Sequence, residues 1–244
     1  ERMEWPSPWD AMRGAIGAHR GRRVVVLVSG DPAWFSGGVT VARAFPGEAA
    51  VHPHPGAFQE AAARLAWRLE EAECLSAHGR PAAAAVLPRL RPGARLLLLA
   101  EAGTAAELAA LLAREGWGTS RLTALWHMGG PGEGRREAPA RDWAGETPAL
   151  TTLAVECRPD PGTRVLPRRG LPDDCFESDG TMTKREVRAL TLARLDPRPG
   201  ELLWDIGLGC GSVAVEWLRA GGGAAWGVEP RGDRRAMAAR NALA

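Results

Sequence analysis

The sequence predicts an α/β chain built from two modules. Three observations carry this. Short β-branched or leucine-rich runs, at residues 23–28 and 95–100, alternate with segments of helical periodicity. A proline- and arginine-rich stretch, residues 158–170, interrupts the alternation without an apolar pattern of its own. The alternation then restarts around a glycine-rich turn at residues 207–211. The expected division is residues 1–157, a linker at 158–170, and residues 171–244.

In the first module, Arg-Val-Val-Val-Leu-Val at 23–28 reads as a strand buried on both faces, hence part of a parallel sheet. It stops at Ser29-Gly30-Asp31-Pro32, a turn signal. Residues 37–45 read as a helix, and His52-Pro53-His54-Pro55 as extended chain. Residues 57–69 put Phe58, Ala61, Ala62, Leu65 and Leu69 at helical spacing. Residues 72–76 form a short strand, 82–90 a helix, and 95–100 a second buried strand. The next helix has Thr104 as N-cap, Glu107 completing a capping box, and Gly116 closing it. Strands follow at 122–126 and 150–155, separated by an aperiodic loop at 129–143. In the second module, Thr183 is the expected cap of a helix carrying Glu186, Val187, Leu190, Leu192 and Leu195. Residues 202–206 read as a strand, 212–219 as a helix and 224–228 as a strand, with a last helix from Asp233 onward.

Composition narrows the function. A net charge of +2 is too balanced for a protein that coats nucleic acid. No apolar run approaches the ~18 residues of a membrane-spanning helix, and the first residues carry no signal pattern. The four cysteines, Cys74, Cys157, Cys175 and Cys210, are scattered without metal spacing. That fits a cytoplasmic protein with free thiols, no disulfide scaffold and no metal site. Of the 31 basic side chains only Lys184 is lysine, and Asn241 and Gln59 are the single asparagine and glutamine. A GC-rich genome accounts for such a bias.

The sharpest motif is Asp205-Ile206-Gly207-Leu208-Gly209-Cys210-Gly211, at a strand end with a helix immediately after. Glycines there let the backbone turn tightly and come close to a ligand. A dinucleotide fingerprint would need glycine at position 212, which is Ser212. The pattern instead resembles motif I of class I S-adenosylmethionine (SAM) methyltransferases. Glu229, at the end of the next strand, is placed to accept hydrogen bonds from a ribose diol. A glycine-rich junction without a ligand would look similar in a chain with 30 glycines.

The stretch LPDDCFESDGTMTKREVRALTLARLDPRPGELLWDIGLGCGSVAVEW resembles the opening of the C-terminal domain of the precorrin-6Y C(5,15)-methyltransferase (decarboxylating) family. By residues alone it is a polar loop and a capped helix. The resemblance implies that Thr183, Gly207, Leu208, Gly209, Cys210, Gly211 and Glu229 line a SAM site. Ser29-Gly30-Asp31-Pro32 is similar to the S-G-D-P loop of tetrapyrrole methylases, a separate two-lobed SAM-dependent fold, and HPHPGAFQEAAARLAW and LSAHGRP agree with it. HMGGPGEGR matches in part, with the register departing after Glu133, so no role follows there.

The implied fold is thus a partial two-lobed tetrapyrrole methylase domain, then the start of a Rossmann-like class I methyltransferase domain. Gly30 and Asp31 fall near SAM in the first module. His78, Arg80 and Lys184 are candidate partners for the carboxylates of a tetrapyrrole (precorrin) substrate, with Arg185 and Arg188 further cationic candidates. The implied activity is SAM-dependent methylation of precorrin-6Y at carbons 5 and 15, with loss of an acetate carboxyl, in cobalamin biosynthesis. Methylation of another tetrapyrrole, and a SAM- or tetrapyrrole-binding module without catalysis, remain open. No general base is named. The chain is expected to span the join of a longer fused enzyme, with uncovered apolar faces and sheet edges. A homo-oligomer is compatible with this fold.

Overall fold

The computed structural model describes residues 2–167 and 169–243; residue 168 of the expected linker and the two end positions, 1 and 244, lie outside the described residues. The chain divides into two compact units, Glu1–Thr163 and Arg164–Ala244. The α/β class holds in both.

The first unit contains α1 (Met12–Gly17), α2 (Gly38–Ala44), α3 (Ala57–Leu65), β1 (Ala72–Ser76), α4 (Ala82–Val86), β2 (Arg95–Ala100), α5 (Thr104–Arg114), β3 (Arg121–Trp126), β4 (Gly134–Pro139) and β5 (Thr151–Glu156). The strands form one mixed sheet in the order β1-β2-β5-β3-β4. β1 and β2 are parallel, while β5 runs antiparallel to both β2 and β3. β1, β2 and β3 therefore point the same way, and the loops that follow them emerge on one edge.

Strand periodicity explains the two faces. Leu96 and Leu98 of β2 pack with Leu108 and Leu112 of α5, Val86 of α4, and Leu122, Leu153 and Val155. The alternate residue, Leu97, faces Phe58, Ala61 and Ala62 of α3. A strand covered on both faces has no polar side to show, so its run is apolar throughout.

Several expectations are corrected. Residues 23–28 form no strand; Val25 is 75% and Leu27 80% exposed. The sheet's edge strands are β1 and β4, and neither pairs with that run. An extended segment without a neighbour's N–H and C=O groups has no ladder to join. The expected loop at 129–143 contains β4, antiparallel to β3. Its Arg135, Arg136 and Glu137 are exposed, so this edge strand lacks the apolar alternation that announces one.

The helix at 57–69 stops at Leu65, where Ala66 turns left-handed (φ 53°) and the N–H of Trp67 donates to Ala62 O at 2.9 Å. The helix at 82–90 stops at Val86, with Pro88 inside a following 3-10 turn. Gly103, not Thr104, is the N-cap of α5. The Thr104 hydroxyl instead accepts the N–H of Glu101 (3.1 Å), closing the turn before the helix.

The second unit contains α6 (Arg185–Leu195), β6 (Leu202–Ile206), α7 (Ser212–Arg219), β7 (Ala224–Val228) and α8 (Gly232–Leu243). β6 and β7 pair in parallel. α7 connects them, contacts both, and is flanked by α6 and α8. On the opposite face Leu202, Trp204, Ile206, Trp226 and Val228 are exposed, with the Trp204 and Trp226 rings 5.4 Å apart.

The cap of α6 is Lys184 rather than Thr183, without a side-chain capping bond. The helix follows its expected apolar pattern only in part: Leu192 is buried, on the same face as Arg188. Val187 and Leu190 are 55% and 69% exposed, while Arg188 is fully buried. Its Nε donates to Glu216 Oε1 of α7 at 2.7 Å, and Glu216 is buried as well. A buried carboxylate demands donors, and this requirement sets the helix phase over the exposed apolar side chains.

Candidate functional site

The glycine turn follows β6 directly. Gly207, Gly209 and Gly211 have φ of 87°, 57° and 78°, a left-handed series that side chains disfavour. The N–H groups of Gly207 and Leu208 both donate to Val228 O, at 2.8 and 3.0 Å, so the turn folds over the end of β7. The Leu208 side chain lies over Gly227, where a Cβ would come within 2.5 Å of it. Gly211 caps α7 and abuts α8, where a Cβ would stand 3.1 Å from that of Ala238.

Two acids stand at the strand ends. Glu229, 7% exposed, accepts the N–H of Gly209 at 2.9 Å on one oxygen and that of Arg231 at 3.0 Å on the other. The Arg231 amide, aided by Gly209 and nearby guanidinium groups, holds the carboxyl below its usual range. Each oxygen keeps a lone pair for a further donor. Asp205 differs: burial raises its carboxyl, and its Oδ2 is buried with no hydrogen-bond partner among the described residues. The pairing of β6 with β7 sets Asp205 opposite Gly227, two residues before Glu229.

The segment ahead of α6 is tied to the same elements. Asp179 meets Arg231 and Arg234, and Glu177 meets Arg240. The Thr183 carbonyl accepts from Arg188 at 2.7 Å, while its half-buried hydroxyl makes no hydrogen bond among the described residues. Lys184 is exposed and unpaired in the same sense. The structure thus joins Gly207, Leu208, Gly209, Cys210, Gly211 and Glu229 directly, whereas Thr183 is tied to α7 through Arg188 and Glu216 and makes no direct hydrogen bond to the glycine turn among the described residues. Arg188, expected as a cationic candidate for substrate carboxylates, is instead a buried structural residue. It binds Glu216, Asp173 and the carbonyls of Leu171 and Thr183, and lies 4.7 Å from the Phe176 ring centre.

In the first unit Gly30 (φ 64°) lies against Gly56 at the start of α3, where a Cβ would be 3.2 Å from the Gly56 Cα. Asp31 Oδ1 accepts the Ala33 N–H at 2.7 Å, closing the turn. His78 and Arg80 are exposed in the loop after β1. Arg80 lines an open depression with Glu101, Gly103, Thr104 and Glu107, at the shared carboxyl ends of β1 and β2. No hydrogen bond joins the Gly30–Asp31 turn to this depression among the described residues. Sequence reading missed Glu101, Glu216 and the isolation of Asp205, and read Glu107 only as part of a helix cap.

The sequence pattern of the tetrapyrrole (corrin/porphyrin) methylases matches residues 9–143, more than half of the chain. The chain belongs to the tetrapyrrole methylase family. Behind that methylase segment, a precorrin methyltransferase domain pattern matches residues 174–244. A precorrin-6Y C(5,15)-methyltransferase (decarboxylating) of a Sinorhizobium species is 47% identical over 224 residues, covering 90% of this chain and 54% of that protein. Its counterpart from Mycobacterium tuberculosis (strain CDC 1551 / Oshkosh) is 37% identical over 241 residues, covering 96% of this chain and 59% of that protein. This methylase chain therefore spans somewhat over half the length of these relatives. The uroporphyrin-III C-methyl transferase of Thermus thermophilus, solved with S-adenosyl homocysteine (SAH), superposes with a TM-score of 0.51 at 20% identity. It covers 64% of this chain and 76% of that one, and shares the fold.

Among the described residues no helix is long and apolar enough to cross a membrane, and no His, Cys, Asp and Glu side chains gather to hold a metal ion.

Proposed function

We propose that this methylase chain carries parts of two SAM-dependent modules, residues 1–157 and 171–244 joined by 158–170. The longer protein would methylate precorrin-6Y at carbons 5 and 15 and remove the carboxyl of an acetate side chain. The observation that carries the reading is the left-handed glycine turn held to Glu229 through the Gly209 N–H, beside an unpartnered Asp205 oxygen. These groups fit SAM. Glu229 has lone pairs for the ribose hydroxyls, Asp205 offers an acceptor for an ammonium, and the glycines leave the backbone open to approach. Thr183 borders the same site, and Gly30 and Asp31 belong to the first module's.

SAM supplies an electrophilic methyl group on a sulfonium. What the protein adds is alignment of an electron-rich ring carbon with that methyl, so rigid placement of the turn matters more than a proton donor. His78, Arg80 and Lys184 supply positive or donor groups to the substrate's carboxylates. The relatives' names support precorrin-6Y as that substrate. Four free thiols accord with a cytoplasmic enzyme.

Calorimetric titration of the longer protein with SAH, and mass spectrometry after its incubation with SAM and precorrin-6Y, test this. We expect binding that Glu229→Ala weakens, and product that has gained methyl groups and lost carbon dioxide. Binding without transfer would leave a non-catalytic module. Unchanged affinity in Glu229→Ala would refute the ribose assignment.

A further inference from the structure

Beyond these site residues, we infer that Asn241 is a positioning residue of the glycine turn: its carboxamide locks the turn at Cys210 to the segment leading into Thr183. The inference rests on the reading of that turn as the SAM cradle.

Asn241 lies on α8 and is 8% exposed. Its Oδ1 accepts the N–H of Glu177 at 2.9 Å. Its Nδ2 donates to Glu177 O at 2.9 Å and to Cys210 O at 2.8 Å. Both amide hydrogens and the oxygen are therefore used, all on backbone atoms. The orientation is forced, because a flipped amide would set nitrogen against an N–H and oxygen against two carbonyls. Towards Glu177 the side chain acts as one more strand would, exchanging a donor and an acceptor with a single residue. Its third bond reaches the carbonyl between Gly209 and Gly211.

A second contact falls on the same face of α8. Ala238 sits three residues before Asn241, and it is against Ala238 that Gly211 packs. The helix itself begins at Gly232, just past Glu229. One rigid element thus touches the turn at Cys210 and Gly211 and continues the chain from Glu229. Glu177 has another partner, the exposed Arg240, with side-chain exposures of 57% and 50%. Exposed pairs of this kind contribute little, which makes Arg240 an internal control.

The test uses the full chain as parent, with Asn241→Asp, Asn241→Ala and Arg240→Ala. Hydrogen exchange without ligand is followed in peptides covering 177–183 and 207–211, and SAH affinity is measured by calorimetry. Asn241→Asp aims a carboxylate at two carbonyls, so exchange in both peptides should rise and SAH affinity fall, each about ten-fold or more. Exchange in the first unit's sheet and all properties of Arg240→Ala should match the parent.

Acidification supplies a readout that mere loss of packing would not move. Once protonated, the carboxyl introduced by Asn241→Asp is again a donor, so the SAH affinity of that variant should recover toward the parent's near about pH 4, whereas that of Asn241→Ala should not. If Asn241→Asp fails to fold, Asn241→Ser, which keeps one hydroxyl donor, is read by the same two measurements. Parental loop exchange in Asn241→Asp and Asn241→Ala, or parental SAH affinity beside raised exchange, overturns the inference. A parent that binds no SAH refutes the cradle reading instead, and the exchange data still decide whether Asn241 locks the turn.

Discussion

Removing Glu216 should strongly destabilise the second unit while leaving the first intact. Glu216 accepts from Arg188 Nε at 2.7 Å, Leu171 N at 3.0 Å and Gly170 N at 2.6 Å, with no exposure of either ionic side chain. Glu216→Ala leaves two buried donors, Arg188 Nε and the Leu171 N–H, and the half-buried Gly170 N–H without this acceptor. Breaking a buried pair from one side costs about 3–5 kcal/mol. Asp173, with a side chain 34% exposed, still accepts from Arg188 Nη1 at 3.0 Å, so the lower end of that range is expected. A unit of roughly 80 residues has a total stability of about 4–12 kcal/mol. A loss of about 3 kcal/mol is then between a quarter and three quarters of the whole. Glu216→Gln keeps an acceptor but no charge, and should cost about 1.5–3 kcal/mol.

The joint replacement Arg188→Met with Glu216→Leu removes both charges, and should recover part of the loss although the Gly170 and Leu171 amides stay unpaired. Hydrogen exchange in peptides spanning 185–219, followed through a urea series, reports this unit separately. A Glu216→Ala unfolding free energy within about 1 kcal/mol of the parent's would refute the claim that this pair organises the unit.

Gly211→Ala forces a side chain into φ 78° and against Ala238, and should lower the second unit's melting temperature and its SAH affinity together. Differential scanning fluorimetry with and without SAH checks both. Glu133 ties the loop after β3 to α3 through Arg64, whose hydrogen bond, with help from the Gly129 N–H, lowers the Glu133 pKa to about 2. Its stabilisation is therefore complete above its unfolded pKa of about 4.5 and is lost as pH falls toward about 2. In Glu133→Gln, acid-dependent loss of the first unit's thermal stability should be smaller than in the parent. Made in the longer protein, Lys184→Ala should leave SAH affinity unchanged and raise the KM for the proposed precorrin substrate; an unchanged KM would return Lys184 to a surface role.

Where burial follows hydrophobicity, the sequence was readable. β2 declared itself because both its faces are covered, and the β6–α7–β7 passage because its glycines break the chain sharply at each end. The run at 23–28 has the composition of β2 but no neighbouring ladder, and composition does not report whether a partner is present. β4 was hidden because an edge strand bearing Arg135 and Glu137 looks like a loop. The site divides similarly. Backbone conformation put the glycines and Glu229 within reach of a motif. Arg188 and Asn241 act through carbonyls and amides of distant segments, and a polar residue's buried partners leave no periodic trace.

The contact between Leu208 and Gly227 gives the turn a depth gauge. Leucine seats in a notch left by a missing side chain on the neighbouring strand, and this fixes how far the turn sinks before Gly209 meets Glu229. Any larger residue at 227 would lift the turn and loosen that bond without touching a single atom of it. Turn and strand are thus matched parts, and grafting either one between homologous domains should succeed only when the other travels with it.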